Sequence, residues 1–151
     1  MASDESPPPT LVALSAYLLS KVGKTARGRI AERLARRGLR LWDMAVLASL
    51  ADFGPHAQRD LAHRLDIDTS DMAKVVDRLA GSGHVERSRS PADRRRVSVA
   101  ITGAGRALLA ELEAETRAVQ DALLAPLAPA ERDQLQALLR RVFTAAADSP
   151  S

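Results

Sequence analysis

The sequence predicts a mainly α-helical α+β fold, and three observations carry that expectation. Apolar residues recur at helical spacing through most of the chain, the stretch after Arg87 switches to period-two alternation around a turn, and glycine and proline punctuate the pattern at Gly38, Gly54–Pro55 and Pro126. Leu11, Leu14, Leu18 and Val22 form a stripe on a first helix, whose continuation past Gly23 and Gly28 to Arg37 is expected to kink or break at the glycines, with Gly38 ending it. A second helix is expected over about 41–53, carrying Trp42, Ala45, Val46, Ser49, Leu50 and Phe53 on one side, and Gly54 and Pro55 stop it. Two short helical patterns follow between Ala57 and Gly83, broken at Asp66, Ile67 and Asp68. The later one takes Asp68 as its N-cap, with Asp71 three residues on as a carboxylate variant of the capping box. Met72, Val75, Val76 and Leu79 at i, i+3, i+4 and i+7 turn one stripe of it to the core.

A charged hairpin comes next. Arg87 and Arg89 alternate with Ser88 and Ser90; Pro91, Ala92 and Asp93 make a turn; after Arg94, Arg95 and Arg96 the run Val97, Val99, Ile101 alternates with Ser98 and Ala100. Thr102 caps a long helix over about 104–125 bearing Leu108, Leu109, Leu112, Val119, Leu123 and Leu124. Pro126 closes it, and Pro129 suits the first turn of a last helix with Leu135, Leu138, Leu139, Val142 and Phe143 on one stripe.

Two short helices followed by a basic hairpin have the layout of a helix-turn-helix with a wing, which binds DNA. At about 100° per residue the recognition helix turns Ser70, Lys74, Asp77 and Gly81 outward, with Ala73 and Arg78 on the shoulders and Thr69 at its start. Such a face lies in a major groove, while the free amides of the N-terminus favour phosphate. Charge is distributed accordingly. Net charge is only +3, but Lys21–Arg40 carries a local +7 and Arg87–Arg96 a local +4, whereas Thr102–Ser151 carries −2.

The segment from Leu61 to Gly105, above all VDRLAGSGHVER followed by PADRRRVSVAIT and a helix, resembles the MarR family (multiple antibiotic resistance regulators) of winged helix-turn-helix transcription factors. In element order the resemblance extends from Leu11 to Ala147. It implies a winged helix-turn-helix lobe with a two-stranded β-wing over 41–101, and N- and C-terminal helices, 10–40 and 102–147, that interlock with those of a second copy. Segments 1–9 and 148–151 are expected to be disordered tails. In the family pattern Asp93 orients the wing and Arg95 enters the minor groove, and Asp77 anchors a wing arginine; Arg94 and Arg96, by their places on the turn, touch phosphate or point to the other side. Family wings usually carry an acidic residue where this chain has Ser90. Members also bind an aromatic or phenolic anion between their two lobes, and Trp42 and Asp43 stand near that place in the order of elements. As plain residues, Trp42 reads as core and Asp43 as a first-turn acid favoured by the helix dipole.

Other chemistries find no support in the residues. Without cysteine there is neither a disulfide framework nor a thiol sensor. His56, His63 and His84 lack metal-ligand spacing, so neither a metal nor a cofactor is expected. Gly23, Lys24 and Thr25 imitate the end of a phosphate loop, but Leu18 stands where its first glycine belongs, and no catalytic constellation marks an enzyme. No membrane span or signal peptide is visible, which points to the cytoplasm. The expectation is a homodimeric regulator, a repressor, binding a pseudo-palindromic DNA operator and released by a small effector. A winged-helix module for an acidic protein and a nucleoid-type binder without sequence choice are the alternatives.

Overall fold

The computed structural model describes residues 6–89 and 91–149, so Ser90 and its place in the wing lie outside the described residues. A short helix α1 (Pro9–Val12) opens the described chain, beginning at the last residue of the segment expected to be a tail. Helix α2 (Ser15–Ala35) then runs unbroken through Gly23 and Gly28. This corrects the expected kink: neither glycine has positive φ, and the break falls instead at Ala13 and Leu14, where Leu14 is extended. Gly38 and Gly54 do take positive φ, 69° and 80°, and end α2 and α3 (Leu41–Phe53) as glycine does where any other residue would be strained.

The helix-turn-helix consists of α4 (Gln58–Arg64) and α5 (Thr69–Gly81). Asp66 adopts φ 51° in the turn between them, a conformation that a short polar side chain tolerates better than most. Ile67 is buried beside it. Asp68 caps α5 through Ser70 N at 2.8 Å, but no bond returns from Asp71, which sits 3.9 Å from Lys74 instead.

The wing strands β2 (Val85–Arg89) and β3 (Val97–Ile101) pair antiparallel, Val85 opposite Ile101 and Arg89 opposite Val97. The expected two-stranded wing is part of a three-stranded sheet in the order β1-β3-β2. Strand β1 (His56–Ala57) is only two residues long, held by its backbone to Val99 and Ser98, and too short to show a period in sequence. Thr102 then caps α6 (Gly103–Leu123), accepting from Gly105 N at 3.0 Å, and α7 (Pro129–Ala147) follows with proline in its first turn.

One core joins these parts. Val46, Leu47 and Leu50 of α3 meet Leu61, the whole Met72–Val75–Val76–Leu79 stripe of α5, Val85 and Val99 of the sheet, and Leu109 and Leu112 of α6. Burying side chains of this size contributes about 1.5–3 kcal/mol each. Arg37, just past α2, is clamped to Glu111 and Glu115 on α6; its bond to Glu111, then that to Glu115, holds its pKa above the ordinary arginine value. The terminal helices differ from the rest. Neither α1 nor α7 buries any residue, α2 buries only Leu34, and Leu14, Leu18, Val22, Leu138, Val142 and Phe143 stand exposed. Among the described residues no helix is long and apolar enough to cross a membrane.

Candidate nucleic-acid interface

Thr69 opens α5, and Asp93, Arg95, Arg96 and Val97 come from the wing; together with Gln58 they line one groove of about 460 Å³. Helix start and wing tip, some 25 residues apart in sequence, thus share a surface. Local bonds explain the tip. Asp93 accepts from Arg95 N at 3.0 Å through its carboxylate and from Arg96 N at 3.1 Å through its carbonyl, so it shapes the turn by holding backbone and leaves the Arg95 guanidinium free. Arg94, Arg95 and Arg96 are all exposed, and among the described residues none has a carboxylate partner. Three unneutralised guanidiniums on a turn attract a polyanion.

On α5, Lys74 is exposed, with only the 3.9 Å contact to Asp71. The Ser70 hydroxyl donates to Asp68, whose pKa is lowered chiefly by that bond and next by the Ser70 backbone bond. Ala73 is half-buried, and its carbonyl accepts from Arg87 Nη2 at 3.3 Å. Asp77 points outward and pairs with Arg87 on β2. Arg78 lies elsewhere: its Nη2 donates to Asp43 Oδ1 at 3.0 Å, on the side of the helix turned to α3. Arg78, on a shoulder of the helix by its sequence position, thus gives one guanidinium nitrogen to Asp43 while its side chain stays 41% exposed.

The same bond corrects the reading of Asp43 as an effector contact. Asp43 is fully buried, one oxygen bound to Arg78 and the other accepting from Arg40 N at 2.7 Å, so its carboxylate caps the start of α3 and has no face for a ligand. Trp42 is neither core nor pocket, being 44% exposed at the start of α3. A concavity of about 720 Å³ lies between α2, α6 and α7, with Val22, Met44, Thr116, Arg117, Leu135 and Leu139 on its walls; neither Trp42 nor Asp43 lines it. Among the described residues no cluster of histidine and carboxylate side chains has metal-binding geometry.

Sequence reasoning passed over Arg87 and Gln58. Arg87 was visible as a charge, but its partners at 58, 73 and 77 are brought to it by the folding of β2 against α4 and α5, and no periodicity announces that.

Comparison with known proteins gives a consistent picture. A profile of the MarR family matches residues 42–97. The chain is 32% identical over 98 residues, 65% of its own length and 62% of the relative's, to the HTH-type transcriptional repressor NicR of Pseudomonas putida. It spans about three-fifths of the length of the curated relatives it matches. The crystal structure of a probable transcriptional regulator from Pseudomonas aeruginosa is 32% identical, with a TM-score of 0.70 over 87% of this chain and 98% of that one. Bordetella bronchiseptica BpsR, whose structure concerns regulation of its DNA binding by 6-hydroxynicotinic acid, is 26% identical, with a TM-score of 0.71 over 95% of this chain and all of that one.

Proposed function

Because this chain belongs to the MarR family, we propose that it is a sequence-specific DNA-binding transcriptional regulator, a repressor, which grips a pseudo-palindromic operator as a homodimer in the cytoplasm and has no enzymatic activity. The shared groove of Thr69, Asp93, Arg95 and Arg96 carries this reading, because it lets one lobe address a major groove with a helix and the adjoining minor groove with an arginine. Thr69, Ser70, Ala73 and Lys74 take the major groove, Arg95 the minor groove, and Arg94 and Arg96 the phosphates. A second copy covers the apolar faces of α1, α2 and α7 and places a second recognition helix about one turn of DNA away. An effector fits the cavity between α2, α6 and α7, whose apolar walls and Arg117 suit a small aromatic or anionic molecule. NicR is described as a repressor, and BpsR as regulated by 6-hydroxynicotinic acid; both support the reading.

Recovery of sheared genomic DNA by the purified protein, beside its Arg95→Ala variant, tests it. Enrichment of a few fragments that share an inverted repeat is expected, with the variant weaker by about 1–3 kcal/mol. Uniform recovery would favour binding without sequence choice, and no recovery at moderate salt would favour a module for an acidic protein.

A further inference from the structure

We propose that Ser70 meets DNA as a hydrogen-bond acceptor only, its proton being held by Asp68, so that it selects a base with an exocyclic amino group, adenine or cytosine, at one position of each half-site; this deepens the DNA-binding reading above and rests on it. Ser70 is exposed in the first turn of α5, on the outward face, one residue from Thr69 in the groove shared with Arg95 and Arg96. A free serine hydroxyl is ambiguous, since it rotates to donate or to accept as its partner requires. Here one state is selected. Asp68 Oδ1 accepts both the Ser70 backbone N–H, at 2.8 Å, and the Ser70 hydroxyl. An ionised carboxylate only accepts, so the shared proton belongs to Ser70. The hydroxyl bond first, and then the backbone bond, lower the Asp68 pKa, which keeps the carboxylate ionised at neutral pH.

What Ser70 Oγ has left for a ligand is its lone pairs. In the major groove each base pair carries one amino group, N6 of adenine or N4 of cytosine, while the other polar groups there, N7, O6 and O4, only accept. An acceptor-only side chain pairs with the amino group and is repelled by the lone pairs of the others, and so fixes on which strand the amino base stands. Two neighbours on the helix behave differently. The Thr69 hydroxyl has no hydrogen-bond partner among the described residues and turns either way. Lys74, one turn further along the same face and held only by its 3.9 Å contact with Asp71, offers donors alone. The outward face thus presents an acceptor and, about 6 Å on, a donor. A helix cap, ordinarily a matter of stability, sets one of those two signs.

The experiment uses the full chain. Selection from random duplexes with wild type and Ser70→Ala identifies the position at which the variant loses its base preference. There the exocyclic amino group is deleted in one half-site, purine replacing adenine or 2-pyrimidinone replacing cytosine, and in a separate duplex N7 of the purine in that pair is replaced by carbon. Loss of the amino group should weaken wild type about tenfold more than it weakens Ser70→Ala, and loss of N7 should affect the two proteins equally. Asp68→Gly keeps a tolerated N-cap and frees the hydroxyl; in it the penalty for reversing the base pair at that position should fall to about threefold or less. No position altered by Ser70→Ala, coupling of Ser70 to N7 instead of the amino group, or an undiminished penalty in Asp68→Gly would each overturn the proposal and leave the DNA-binding reading standing. A wild type that selects no sequence overturns that reading, and the proposal with it. Should Asp68→Gly fail to fold, the comparison of wild type with Ser70→Ala on the altered duplexes decides alone.

Discussion

Asp68 shows how much one side chain settles. Its carboxylate accepts the Ser70 backbone N–H and the Ser70 hydroxyl at the start of α5, and those bonds, the hydroxyl first, lower its pKa. Since the unfolded chain protonates such a group near pH ~3.9, the stability contributed is present in full above that value and is lost as pH falls through the lower folded pKa. The melting temperature of wild type should therefore drop more steeply below about pH 4 than that of Asp68→Asn, which keeps a capping oxygen and does not titrate. Parallel curves down to pH 2 would remove Asp68 from the account. Asp43 teaches the opposite lesson. Its role as an N-terminal acid of α3 is visible from its position, yet its partner Arg78 is 35 residues away, and only packing of α5 on α3 brings the two within 3.0 Å.

At the scale of elements, the junction between wing and α6 is a place of close backbone approach. Thr102 donates its hydroxyl to the Gly83 carbonyl at 2.6 Å and its N–H to that of His84 at 3.1 Å, drawing the first turn of α6 onto the loop after α5. Gly105 faces that loop, and a Cβ there would lie 2.0 Å from the His84 carbonyl oxygen. Backbone cannot retreat as a flexible side chain does, so Gly105→Ala should destabilise the fold by about 1–3 kcal/mol. Gly103→Ala, where a Cβ meets nothing within 4 Å, should leave the melting temperature unchanged or raise it slightly. Equal effects of the two substitutions in thermal melts would show that the close approach is not what Gly105 serves.

In the whole molecule the terminal helices are the elements left with exposed apolar faces. Leu14, Leu18 and Val22 on one terminal segment and Leu138, Val142 and Phe143 on the other leave apolar side chains in water, and each gains about 1.5–3 kcal/mol when fully buried. In the proposed homodimer a second copy of the chain supplies that cover and, with it, the spacing of two recognition helices. Replacing Leu138 and Phe143 together by aspartate should give a monomer in sedimentation velocity, with operator affinity reduced by far more than the loss from Arg95→Ala. A persistent dimer would place the interface elsewhere.

The sequence by itself determined the local matters. The Met72–Leu79 stripe, the caps at Asp68 and Thr102, the wing strands and the proline start of α7 depend on neighbours within a few residues, where periodicity, capping and turn chemistry operate, and the structure has each of them. Folding in three dimensions decided whatever depends on partners distant in the chain. It added β1 to the sheet through two backbone pairings, carried α2 straight through its glycines, paired Arg78 with Asp43 and gathered Gln58, Ala73 and Asp77 around Arg87. A hydrophobic period specifies which face of an element is buried; the neighbour that buries it is chosen only when the elements pack.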